Sequence, residues 1–162
     1  MKRLFLLAAA AAGLALPASA QNAAQIQRAA GGASCPGCNL FQADFGNKAL
    51  KAKNFAGARL RQADMSVAIM NHTSFAHADL RDVNAYGALF SSANFAGADL
   101  TNATFVGTYL EGANFSRAHL SGTNFSGAEM GKAVGLTQAQ LSEACGDAST
   151  QLPRGLRLKP CG

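Results

Sequence analysis

The chain has 162 residues, with 14 Lys and Arg against 9 Asp and Glu, for a formal charge of +5. That length bounds it to one domain, and the basic balance points at most to a weak, non-specific attraction for anionic polymers or lipids. No apolar stretch reaches the ~20 residues of a membrane span, and no grouping of Ser, His, Cys, Asp and Glu makes a catalytic constellation.

Taken in chain order, residues 1–20 read as a secretory signal: a basic start at Lys2 and Arg3, an apolar run from Leu4 to Leu16, and Pro17-Ala18-Ser19-Ala20 where a signal peptidase needs small residues. Cleavage is expected after Ala20, and the absence of Cys there argues against a lipid anchor. Without Lys2 and Arg3 the balance is 12 basic against 9 acidic residues, or +3. The mature chain is expected to be soluble, periplasmic or secreted, without a transmembrane segment.

Residues 21–37 form an N-terminal cap segment, in which Asn22 to Arg28 predicts a turn or two of helix before the break at Gly31-Gly32. From 38 to 132 every fifth residue is large and apolar, running Leu40, Phe45, Leu50 and onward to Met130 without a slip in phase. Of these nineteen centres eighteen are Phe, Leu or Met, the exception being Ala85. Two residues before each centre the chain is usually Ala. A period of five fits neither a helix nor a simple strand, so one short unit is being stacked.

Sorting the centres by every twentieth residue gives one column of Leu only (Leu40, Leu60, Leu80, Leu100, Leu120) and another of Phe only (Phe55, Phe75, Phe95, Phe115). Four repeats per turn give a square coil of twenty residues, with like side chains in ladders along the interior at roughly 4.8 Å spacing. Ala85 is small for its place, but Val83 restores volume within the same repeat. Lys48 and Lys53 fall on inward positions, where a buried ammonium is costly, so their amines are expected to snorkel outward.

Units such as Ala63-Asp64-Met65-Ser66-Val67, Ala98-Asp99-Leu100-Thr101-Asn102 and Ala113-Asn114-Phe115-Ser116-Arg117 resemble the A(D/N)Lxx pattern of the pentapeptide repeat family. The resemblance covers about 95 residues. It implies an all-β fold, a right-handed quadrilateral β-helix (solenoid), here of about five coils of 20 residues. It does not imply one activity, because the family is a scaffold with many uses.

Residues 133–162 follow the stack. Thr137-Gln138-Ala139-Gln140 reads as a capping box that opens a short C-terminal capping helix running to about Cys145, with Gly146 as its stop. A basic extended tail then reaches Cys161. Of the three pairings that four cysteines allow, two would bridge opposite ends of a stack more than 20 Å long, beyond the ~7 Å reach of a disulfide. Cys35–Cys38 and Cys145–Cys161 are therefore expected. A Cys-x-x-Cys also admits redox or metal chemistry, although no thioredoxin-like helix follows it and Asn39 stands where haem attachment needs His.

On the outside, Ile69, Leu89 and Tyr109 fill outward positions of one face, with Val67, Tyr86 and Val106 on the adjoining one, making an apolar stripe of the kind that marks a contact surface. Lys48, Lys51, Lys53, Arg59, Arg61 and Arg81 form a basic cluster near the start, and His72, His77 and His119 read as surface residues. These features point to a non-catalytic exported scaffold, without cofactor or metal. It would mediate protein–protein interaction through an outer face, toward an unidentified envelope protein or by self-association. The alternative is an envelope redox or metal-handling protein using Cys35 and Cys38. Less favoured is a DNA mimic that binds gyrase, which needs an acidic, cytoplasmic surface; nucleic acid is not an expected partner.

Overall fold

Each five-residue unit folds as a corner followed by one paired residue. The N–H of the small residue bonds back to the carbonyl of the preceding centre, as in Ala43 to Leu40 (3.0 Å) and Ala58 to Phe55 (3.0 Å). The second residue of each such turn takes a positive φ, near +55 to +65° at most corners whether or not it is glycine. The chain therefore bends once per repeat and closes a square after four.

A computed structural model describes residues 21–162; the signal sequence expected at 1–20 lies outside the described residues. Closure is visible in the register. Parallel bridges join residues twenty apart along four sides: Arg59 to Asp79 to Asp99 to His119, Asp64 to Asn84 to Thr104 to Asn124, Ile69 to Leu89 to Tyr109 to Glu129, and Ser74 to Asn94 to Asn114 to Val134. Each repeat donates to both neighbouring coils. Leu60 N–H reaches Asp79 O (2.7 Å), Gln62 N–H reaches Arg81 O (2.9 Å), and Asp79 N–H reaches back to Ala58 O (3.0 Å). Because a corner recurs every five residues, a side contributes a single bridge rather than a strand. The only regular strands among the described residues are β1 (Cys145–Gly146) and β2 (Lys159–Pro160), which pair in parallel.

Every centre is buried, and so are the small residues beside it, except Lys48 and Lys53, which are half-buried. Within the Phe column the rings of Phe75, Phe95 and Phe115 stack at 5.3 and 5.2 Å. Ala85 and Val83 are both buried, and Phe90 of the same coil lays its ring within 6 Å of Phe75, Phe95 and Phe105. Where Thr replaces the small Ala, its hydroxyl donates to a backbone carbonyl, Thr73 to Leu50 O (2.8 Å) and Thr123 to Leu100 O (2.9 Å). A buried hydroxyl is thus satisfied without disturbing the ladder.

The ends depart from the sequence expectation in three ways. The first helix, α1 (Ala23–Ala30), is capped by Asn22 and continues two residues past Arg28, with Gly31 as its C-cap. The ladder already begins at Cys35, whose N–H bonds to Asn54 O (2.8 Å), so Cys35 starts the Phe column and Pro36-Gly37 form an ordinary corner. The second helix, α2 (Gln138–Glu143), has the capping box but stops two residues before Cys145. Cys145 is taken by the ladder instead: its N–H bonds to Thr123 O (3.0 Å) and its carbonyl accepts from Phe125 (2.8 Å).

Candidate interaction surface

The alternation that buries the centres forces the residue just before each centre outward, and a ladder places such residues directly above one another. Ile69, Leu89 and Tyr109 are bridged in one column. Ile69 is half-buried, while Leu89 is 39% and Tyr109 36% exposed. The corner leading into this side carries Val67 and Tyr86, 52% and 57% exposed, and the half-buried Val106. Val67 N–H bonds to Tyr86 O (2.8 Å) and Gly87 N–H to Val106 O (2.9 Å), so the corner residues of successive coils touch. The six residues form one patch on one side of the solenoid. Val134, also 52% exposed, lies on a different side.

Val67 adopts φ 56, a left-handed conformation. For a β-branched residue this is an outlier, and strain of this kind clusters at functional positions. Eight other corners of the ladder use glycine in the same role, among them Gly57, Gly87 and Gly107. Sequence reading identified Val67 by its hydrophobicity alone; the backbone cost becomes visible only when the corner position is known.

The basic cluster divides in two. Arg61 pairs with Asp82 (3.0 Å), and Arg81 forks onto Asp79 (2.7 Å) with Asp99 at 3.6 Å. The side-chain hydrogen bonds from Arg81 hold the Asp79 carboxyl below its ordinary value despite partial burial. Arg59 lies over the Phe41 ring, 5.0 Å from its centroid. These arginines thus form a charge ladder on the side of Asp79 and Asp99. Lys48, Lys51 and Lys53 have no ion pair among the described residues.

The cysteines are joined as Cys35–Cys38, across one corner, and Cys145–Cys161, which ties the tail to the ladder. Cys35 is fully buried and Cys38 nearly so. Arg28 of α1 donates to both sulfurs, at 3.1 and 3.5 Å, a contact with no signal in the sequence. His72, His77 and His119 stand at two different corners and on a third side, and among the described residues no three or more His, Cys, Asp or Glu gather as metal ligands. No helix among the described residues is long and apolar enough to cross a membrane.

A coil of four five-residue units with a filled interior defines a repeat solenoid. A family model described as pentapeptide repeats matches in eight copies, over residues 54–84 and 93–131. The repeat region of the chain belongs to the pentapeptide repeat family. Among solved structures it is similar to a pentapeptide repeat protein of the Arabidopsis thaliana thylakoid lumen, at 26% identity over 66% of this chain and 59% of that one, with a TM-score of 0.31. It is also similar to HetL of the cyanobacterium Nostoc, involved in heterocyst differentiation regulation (23% identity, 82% and 57% coverage, TM-score 0.33). A third is QnrB1, a plasmid-mediated fluoroquinolone resistance protein (19% identity, 73% and 78% coverage, TM-score 0.37). The chain spans less than two thirds of the length of the first two. No curated protein matches it.

Proposed function

We propose that this protein is a non-catalytic exported scaffold, a right-handed stack of about five coils that binds a protein partner in the periplasm or outside the cell. The partner docks on the side carrying Ile69, Leu89 and Tyr109 and on the adjoining corner of Val67, Tyr86 and Val106. The observation that carries this reading is the convergence of four exposed apolar residues on adjoining columns, one of them held in a conformation unfavourable to its side chain. A filled interior of Phe, Leu and Met leaves chemistry only to the surface, and the surface beyond this patch is mostly Asn, Ser, Gly and charged residues.

The test is crosslinking capture of envelope proteins on the purified protein, compared with Leu89→Asp and Tyr109→Asp variants. Both side chains point outward, so the variants should keep the wild-type unfolding midpoint. They should lose the captured partner by at least tenfold, since a buried unpaired carboxylate costs more than ~1.4 kcal/mol at an interface. Capture unchanged in both variants would remove the patch from the account.

The second reading, thiol–disulfide chemistry at Cys35 and Cys38, draws on the Arg28 guanidinium, which would stabilise a thiolate. Against it stands the burial of both sulfurs at the foot of the Phe column. Titration of the folded protein with a thiol reagent separates the two. The scaffold reading expects no reactive thiol before or after mild reduction.

A further inference from the structure

The partner's chemistry can be taken one step further from the register alone. Six rungs line this side of the solenoid: Ala49, Ile69, Leu89, Tyr109, Glu129 and, from the tail, Gln151. Large apolar side chains are confined to Ile69, Leu89 and Tyr109, and Leu89 is the centre of that run. We propose that the occupant of this surface is a second copy of this chain, docked end over end about a two-fold axis along the Leu89 rung. This rests on the docking reading above and names its partner.

End-over-end docking sets Leu89 on Leu89 of the second copy and Ile69 on Tyr109. It also brings the apolar corner onto itself, Tyr86 against Tyr86. Val67 then falls opposite Gly107, where an added Cβ would meet nothing within 4 Å, so this exposed side chain faces open space. An isologous pair requires this self-complementarity of one patch. Side-by-side parallel docking fails the same check. It turns Tyr86 and Val106 onto the opposite corner, against Ser91 and Glu111, and desolvates polar groups with nothing to pair them.

Charge selects the same arrangement. The first rung is flanked by Lys48 and Lys51, while the rung after Tyr109 is Glu129, and none of the three is ion-paired within its own chain among the described residues. End-over-end docking lays each Glu129 over Lys48 and Lys51 of the other copy, with Lys132 beside it as the one opposing charge. Parallel docking lays Glu129 on Glu129. Complementary flanks of this kind fix register more than they add affinity. The five rungs that overlap, Ala49 to Glu129, span ~19 Å, so each copy covers a few hundred Å2, below the ~800 Å2 per partner of a standard interface. The association is accordingly weak and concentration-dependent.

Sedimentation velocity of the purified protein should show the sedimentation coefficient rising toward that of a dimer between roughly 10 µM and roughly 1 mM, the range a small interface implies. Leu89→Asp should hold it at the monomer value. Orientation is read by crosslinking, because the four native cysteines are all paired and an introduced thiol stands alone. Leu89→Cys should form covalent homodimers. Ile69→Cys and Tyr109→Cys should each fail to self-link, like residues being about 10 Å apart along the axis, and should link to each other when mixed. A protein monomeric up to roughly 1 mM, or Ile69→Cys self-linking as readily as Leu89→Cys, overturns the proposal. If the wild type stays monomeric while Leu89→Asp and Tyr109→Asp still abolish capture of a different envelope protein, the docking surface stands and only the second copy falls. If capture is also unchanged, both fall.

Discussion

Val67 holds φ 56 while its side chain remains 52% exposed, so packing gives little back for the left-handed backbone. That conformation costs an L-residue roughly 1–2 kcal/mol, against the ~0.5–1 kcal/mol of extra chain entropy that glycine loses on folding. Val67→Gly is therefore expected to raise stability by about 1 kcal/mol in urea unfolding while weakening whatever docks at the corner. A loss of stability would mean that the valine is held by packing instead. Asp147 makes a second residue-scale prediction. The hydroxyl of Ser149, then the N–H of Gly127, donate to its carboxylate and hold its pKa at about 2. A depressed carboxylate stabilises the fold above its unfolded pKa of about 4, and the contribution is lost as pH falls through about 2. Asp147→Asn should flatten the fall in thermal midpoint between those two values; an unchanged slope would assign acid sensitivity to other carboxylates. Neither residue could be weighted from sequence alone. Valine at a corner and aspartate in a tail acquire their meaning from φ and from coil-to-coil neighbours.

At the scale of elements, an open stack leaves donors and acceptors at both ends, and this chain covers them with different devices. Below, Gln25 of α1 accepts from Asn39 N–H (2.7 Å) and Ser34 accepts from Asn54 N–H (2.9 Å). Above, Gln140 of α2 donates to the carbonyls of Phe115 and Ala118, both at 2.9 Å, while its Oε1 accepts from Thr137 N–H. The capping box was legible from Thr137 and Gln140 in sequence. The second use of the Gln140 amide, as a stopper for the Phe115 side of the last coil, was not, because it depends on where the helix is set down. Gln140→Ala should cost about 2 kcal/mol, more than a helix cap alone, since it also strands the Ala118 carbonyl and leaves Phe115 O only the N–H of Ala118. Gln140→Glu, which keeps the Thr137 contacts but cannot donate to carbonyls, should be nearly as damaging; equal stability of wild type and the Glu variant would reduce Gln140 to a capping residue. The helix α2 ends earlier than its sequence predicts for a related reason. Helix propensity does not stop at Glu143, but Cys145 is claimed by Thr123, Phe125 and Cys161 at once.

For the whole molecule, the side-chain columns could be read because a repeat without insertions turns position in the chain into position in space. The Phe column of the sequence is the Phe stack of the structure, down to rings 5.2 Å apart. What the columns could not show is where the register begins. Cys35 replaces Phe at the foot of its column and Pro36-Gly37 replaces the usual corner, so the first unit lacks the letters that define the others. The patch was legible as a set of numbers twenty apart, but its exposure, and the strain at Val67, came only with coordinates. All of this depends on the coil closing after four units. The direct measurement is NMR scalar coupling across hydrogen bonds, from amide nitrogen to carbonyl carbon. Couplings are expected from each centre between Leu40 and Phe115 to the residue nineteen further on, as from Leu60 to Asp79, Phe75 to Asn94 and Leu100 to His119, whose N···O distances are 2.7, 2.7 and 2.9 Å. Couplings at any other constant offset, or from each amide to the carbonyl four residues before it, would contradict the square coil and the surface map built on it.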